Sequence, residues 1–317
     1  MRRMMLMGFG LVFFAMPTAA QDKKRHDVLT PGQTGVFALA FSPDGKMLVS
    51  GLVGTPPKNE LKLCDSGTGE LKASFTGHTN HIFHASFSSD SKILATASAD
   101  KTVRLWDLEA GKEKTVFLRD EVPAKAMRFS ADGKTLGVTT HKRVRILDAA
   151  TGKEMRSVDI HPEGHGHCFN PTLELMAFAP DWWYIHLIDT STGKTKTLLT
   201  GLKGPTRAMA FSGDGKWLAS ASGDGLLRVW DVAAGKLKAS FAIESSRSVA
   251  LSKDGKIVAL GMGEGKVRIW NVAANKELPL LQDKILNTAF CLAFSPDGTT
   301  LAVGGMGKVR LWSLETK

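Results

Sequence analysis

The residues of this chain best equipped for chemistry lie between His161 and Tyr184. His161, His165, His167 and Cys168 are ligand types for a transition metal, and their crowding suggests a zinc site. A metal needs its donors on one side of the backbone. His167 and Cys168 are consecutive, and side chains along an extended strand alternate between faces. They cannot easily share one ion, so the expectation here is a structural histidine and no metal. Trp182-Trp183-Tyr184 offers another kind of chemistry. Two adjacent tryptophans carry a large apolar surface, which either anchors a partner or folds inward as a plug. Both readings stand at this stage. No nucleophile elbow, phosphate loop, HExxH or Walker-type motif occurs, so no catalysis and no cofactor are expected.

The elements that must position these residues are short strands. The stretch Gly77–Asp107 reads GHTNHIFHASFSSDSKILATASADKTVRLWD. Its apolar runs, Ile82–Phe87, Ile93–Ser98 and Thr102–Trp106, are bounded by turn formers. The pattern recurs along the chain. Cys64, Trp106, Leu147, Ile188, Trp230, Trp270 and Trp312 occupy one repeat position, spaced 40 to 42 residues apart. Phe41, Phe87, Phe129, Phe169, Phe211, Leu251 and Phe294 occupy a second. The turn after the first strand is SPDG at Ser42–Gly45 and similar in most copies, where Asp bonds the backbone and Gly takes positive φ. Repeat four has FNPTLE at Phe169–Glu174 instead, so a different turn is expected there. In this register His167 falls where other repeats carry Leu39, Ala85 or Met127, a core position.

The Gly77-His78 pair, Asp100 six residues before Trp106, and Trp106-Asp107 resemble one blade of the WD-repeat (Trp-Asp repeat) family. That resemblance implies an all-β, seven-bladed β-propeller of four-stranded antiparallel blades. It also implies a structural network in repeat two joining His78, Thr96 or Ser98, Asp100 and Trp106. Asp27–Phe41 aligns without gaps on Ala73–Phe87, and the chain stops after the third strand of repeat seven. The resemblance implies that Asp27–Thr30 pairs with the strand ending at Trp312 and closes the ring. Other copies depart from the family. Repeat five has Leu202 where the His belongs, and repeat seven has Met306 at the Asp position.

Met1–Ala20 stands outside this pattern. Arg2 and Arg3, the apolar run Met4–Met16 and the small residues to Ala20 read as a signal peptide cleaved after Ala20. An exported, periplasmic or secreted protein is expected, with residues 21–317 forming a single propeller and no membrane span after cleavage. Three cysteines, Cys64, Cys168 and Cys291, fall on strand positions in different repeats, so free buried thiols are expected. The 41 Lys and Arg against 31 Asp and Glu give a net charge of +10. Lysines such as Lys46, Lys92, Lys134, Lys216 and Lys256 recur beside the first turn, but Asp residues lie between them and no aromatics interleave. The expected basic face therefore solubilises and does not bind nucleic acid.

Within the fold, the loop carrying Trp182 and Trp183 shares a face with His161–His165 and with His141 in the adjacent repeat. Trp182, Trp183, His161, His165 and His141 are the candidate site for a protein or peptide partner. The reading is an exported, monomeric interaction scaffold. The alternative class is a propeller enzyme, or a metal or small-ligand binder, with its site at the central opening.

Overall fold

The structure, a computed structural model, describes residues 25–29, 35–53, 59–140, 142–160 and 165–314. Residues 1–24, including the expected signal peptide, lie outside the described residues, as does Thr30. The strands form seven four-stranded antiparallel sheets, or blades. Each of the first six blades is a meander of consecutive strands, as in Ile82–Phe87, Ile93–Ser98, Thr102–Asp107 and Lys112–Arg119 of blade two. Each first strand touches that of the next blade, and the one in blade seven, Cys291–Phe294, returns to Gly35–Phe41 of blade one. The result is a closed ring with the first strands at its centre.

Closure uses both ends of the chain. The strand Arg25–Leu29 pairs antiparallel with Lys308–Ser313, with Arg25 opposite Trp312 and Leu29 opposite Lys308. It supplies the fourth strand of blade seven and covers an edge that would otherwise offer free N–H and C=O groups.

The blades pack face to face, so the core lies between neighbours. One cluster joins Val49 and Leu63 of blade one to Ile82, Leu94 and Trp106 of blade two. The repeat position held by Trp106, Trp230, Trp270 and Trp312 is at most 2% exposed, and Cys64, Leu147 and Ile188 are buried there just as deeply. Burial at that position is the constant, and the indole is one way to fill it. All three cysteines are free thiols.

The first turns share one hydrogen-bond pattern. In blade one, Met47 N–H donates to Ser42 Oγ at 2.9 Å, Ser42 Oγ donates to Asp44 at 2.5 Å, and Gly45 adopts φ of 74°. The different turn expected in repeat four does not occur. There Leu175 N–H donates to Asn170 Oδ1 at 2.9 Å, Asn170 Nδ2 bonds Thr172 at 2.9 Å, and Leu173 takes the positive φ of 59°. Asn170 mimics the serine and Thr172 the aspartate, so the same hairpin is built from other residues.

Candidate functional site

Blade two carries a buried polar network. His78 Nδ1 lies 2.8 Å from Asp100 Oδ2, and His78 Nε2 lies 2.8 Å from Thr96 Oγ1. Trp106 Nε1 donates to the same Thr96 oxygen at 2.8 Å. Thr96, not Ser98, therefore links the histidine to the tryptophan. Ser98 donates to the Asn80 carbonyl at 2.9 Å and accepts from Asp100 N–H at 3.0 Å. The strand alternation puts Thr96 and Trp106 on one face, since Thr96 pairs with Arg104 and Leu94 with Trp106. Burial alone would raise the Asp100 carboxyl, but bonds from His78, Thr102 and Thr79 N–H outweigh it and hold it well below the ordinary value.

Four other blades use arginine for a related purpose, a device absent from the sequence reading. Six of the seven blades carry Arg or Lys two residues before the Trp position: Lys62, Arg104, Arg145, Arg228, Arg268 and Arg310, with His186 in blade four. Several reach the point where the preceding blade's outer strand ends. Arg228 donates to the Gly201 carbonyl at 3.0 Å, Arg268 to the Ala242 carbonyl at 3.0 Å, and Arg145 pairs with Asp120 at 3.1 Å. Arg310 grips Asp283 in the same way. A buried guanidinium with five donors satisfies carbonyls and a carboxylate at once. These four arginines tie blades three, five, six and seven to the blade before each. Their signal was present as the recurrent VRLW, LRVW and VRIW.

This framework presents two faces. The first-turn face carries the periodic lysines, several in surface ion pairs such as Lys92–Glu109 at 2.8 Å and Lys256–Asp254 at 3.0 Å. On the opposite, loop face, Asp181 accepts from Trp183 N–H at 2.8 Å and Tyr184 N–H at 3.0 Å, which fixes a tight turn. Trp182 and Trp183 project from it, 59% and 55% exposed. Neither indole plugs the blade. His161 and His141 lie outside the described residues. His165 opens the first strand of blade four, opposite Ala179, and its side chain also lies outside the described residues. His167 pairs with Phe178, whose ring lies 6.0 Å away, while Cys168 pairs with Ala177 on the alternate face. Among the described residues no group of three or more His, Cys, Asp or Glu side chains could hold a metal ion.

A second apolar feature of the loop face forms where blades seven, one and two meet. Phe37 stacks on Phe290 with ring centroids 4.5 Å apart and also faces His81 and Phe83, at 6.5 and 6.3 Å. Phe83 is 39% exposed. Sequence reading missed this cluster because ring closure alone brings Phe290 beside Phe37.

Comparison with known proteins agrees with this architecture. The family model "WD domain, G-beta repeat" matches residues 24–54, 69–107, 193–231 and 286–313. With the seven-bladed ring, these matches place the chain among the WD-repeat β-propellers. The chain is 31% identical over 202 residues to the serine-threonine kinase receptor-associated protein of Gallus gallus, covering 63% of this chain and 56% of that protein. It is 28% identical over 218 residues to periodic tryptophan protein 2 of Arabidopsis thaliana, covering 67% of this chain and 23% of that one. It is 25% identical over 174 residues to transcription initiation factor TFIID subunit 5 of Caenorhabditis elegans, covering 54% and 27%. The chain thus spans about half the length, or less, of these relatives. Among the described residues no helix is long and apolar enough to cross a membrane.

Proposed function

We propose that this WD-repeat propeller is an exported protein-interaction scaffold without catalysis of its own, and that its loop face receives a protein or peptide partner. The observation that carries the reading is the exposed pair Trp182 and Trp183. Indoles are among the side chains enriched at interface hot spots, and leaving two of them in water is costly. Asp181 pre-orders their turn, so little conformational entropy remains to be lost on docking. His161, His165 and His141 are included in the proposed site from their places in the sequence register of repeats three and four. Export rests on the signal-like segment Met1–Ala20, and the same proposal takes the protein to act as a monomer.

Changing Trp182 and Trp183 together to Ala tests the site. The double variant is expected to melt like the parent and to lose roughly 2 kcal/mol or more of partner affinity in pull-down from the exported fraction. A companion Phe83→Ala variant reports on the Phe37–Phe290 cluster. Capture lost in that variant but retained in the tryptophan double variant moves the site to blades seven, one and two. An unstable double variant with unchanged capture ends the proposal.

A further inference from the structure

The first strands of the seven blades wall the central channel. Their sequences, GVFALAF, IFHASF, AMRF, HGHCF, TRAMAF, SVAL and CLAF, include two arginines and three histidines but no Asp or Glu. One ring position, just before the residue that ends each first strand, is occupied by Ala40, Ser86, Cys168, Ala210, Ala250 and Ala293. In blade three it is Arg128. Its cross-strand neighbour is Gly137, whereas the same neighbour is alanine in five of the other blades. One long cation therefore stands in a ring of small side chains.

The space those small residues leave is a cavity of about 590 Å³ lined by Arg128, Ser86 and Cys168 and opening on the first-turn face. The lining contains no carboxylate and no lysine. No described residue makes a hydrogen bond or ion pair to the Arg128 guanidinium. The first-turn carboxylates of blades three and two are engaged, Asp132 by Ser130 at 2.6 Å and Asp90 by Ser88 at 2.5 Å. Burial pulls the Arg128 pKa below its ordinary value, and the Cys168 thiol beside it is itself pushed up to about 12 and stays neutral. At the mouth the phenylalanines that end the first strands form an apolar collar, of which Phe41 and Phe294 remain partly exposed.

We propose that this channel binds a carboxylate borne on an apolar body, the carboxylate on the Arg128 fork and the body against the phenylalanine collar. A planar guanidinium matches a carboxylate through two parallel hydrogen bonds. A lone arginine without lysines suits one negative charge better than the two of a phosphate. The volume is that of a small-molecule site, and charge-bearing polar groups amid aromatic walls are what such sites contain. This site is independent of Trp182 and Trp183, which lie on the other face.

Calorimetric titration of the full chain tests it, with benzoate, benzamide, inorganic phosphate and a short peptide ending in a C-terminal phenylalanine carboxylate as probes. Benzoate is expected to bind at one site and benzamide at least roughly tenfold more weakly. Arg128→Ala, which restores the small residue of the other blades, should fold normally and lose benzoate binding. Arg128→Lys keeps the charge without the fork and should weaken binding roughly tenfold. Peptide binding that depends on Arg128, with or without benzoate binding, also supports the carboxylate contact and identifies a chain end as its source. Equal binding of benzoate and benzamide overturns the proposal. So does binding of phosphate alone, binding unchanged in both variants, or no binding of any probe.

Discussion

Arg228 and Asp224 form a two-point contact in blade five, with Nη1 3.1 Å from Oδ1 and Nη2 2.8 Å from Oδ2. Blade two uses His78 to hold Asp100. Blade five has Leu202 in the histidine's place, and Arg228 supplies the missing donor from the third strand. The same guanidinium reaches Gly201, so one side chain satisfies the carboxylate and anchors the preceding blade. Trp230 keeps its own bond, to Ser220 at 2.8 Å.

Removing one partner of such a buried pair strands the other. Arg228→Met is expected to cost about 3 kcal/mol, because Asp224 loses its counter-charge while remaining only 7% exposed. Adding Asp224→Asn to Arg228→Met should recover part of the loss. Denaturant unfolding of the three proteins measures this, and an unchanged midpoint for Arg228→Met removes the latch from the stability of the ring.

Asp100 makes stability depend on acid. Its carboxyl titrates lower in the folded protein than the ordinary 3.8, so the unfolded chain takes up its proton first. The stabilisation is complete above about pH 4 and is lost as pH falls below that value through the folded pKa. Asp100→Asn should lose about 2 kcal/mol at neutral pH and show a shallower decline in acid. Thermal melts from pH 7 down to pH 2 check both, and parallel acid limbs for parent and variant would contradict the assignment.

Ring closure can be tested by truncation. A chain beginning at Gly32 lacks the strand opposite Lys308–Ser313 and forfeits several backbone hydrogen bonds of about 1 kcal/mol each. It should melt earlier and associate through the uncovered edge. Light scattering and calorimetry decide. A monomer with the parent melting temperature means that closure does not depend on this strand.

Among the described residues six non-glycine residues have positive φ, and two of them hold the glycine position of a first turn. Ser91, in the first turn of blade two, has φ of 61°, and Leu173, at the matching position of blade four, has φ of 59°. Ser91→Gly should gain about 1 kcal/mol by removing the left-handed penalty. Leu173→Gly should instead lose about 2 kcal/mol or more, since Leu173 is only 1% exposed and packs in the core. Denaturation midpoints that move in the same direction for both would refute this account.

The period of the chain was legible because each blade needs the same alternation and the same turn chemistry. Closure was legible too, since Asp27–Phe41 repeats the outer-strand and first-strand pattern of Ala73–Phe87. The FNPTLE turn misled because Asn170, Thr172 and Leu173 mimic Ser, Asp and Gly by geometry rather than by type. The arginine latch was written in the VRIL, LRVW, VRIW and VRLW segments of blades three, five, six and seven, but its partners Asp120, Gly201 and Asp283 sit in the preceding blade, at distances no local pattern expresses. The Phe37–Phe290 stack was least accessible, because its members stand at opposite ends of the chain.

The pairing of Arg25 opposite Trp312 also sets how the molecule bears load. The start of the strand Arg25–Leu29 and the end of the strand Lys308–Ser313 lie side by side at one end of the closing sheet. A pull on the two termini therefore peels the paired strands apart one hydrogen bond at a time, rather than shearing all of them together. The ring should open as a zipper, at low force, with blades one to six still intact. Single-molecule stretching from the termini would register this as a small early release of length ahead of the unfolding of the blades.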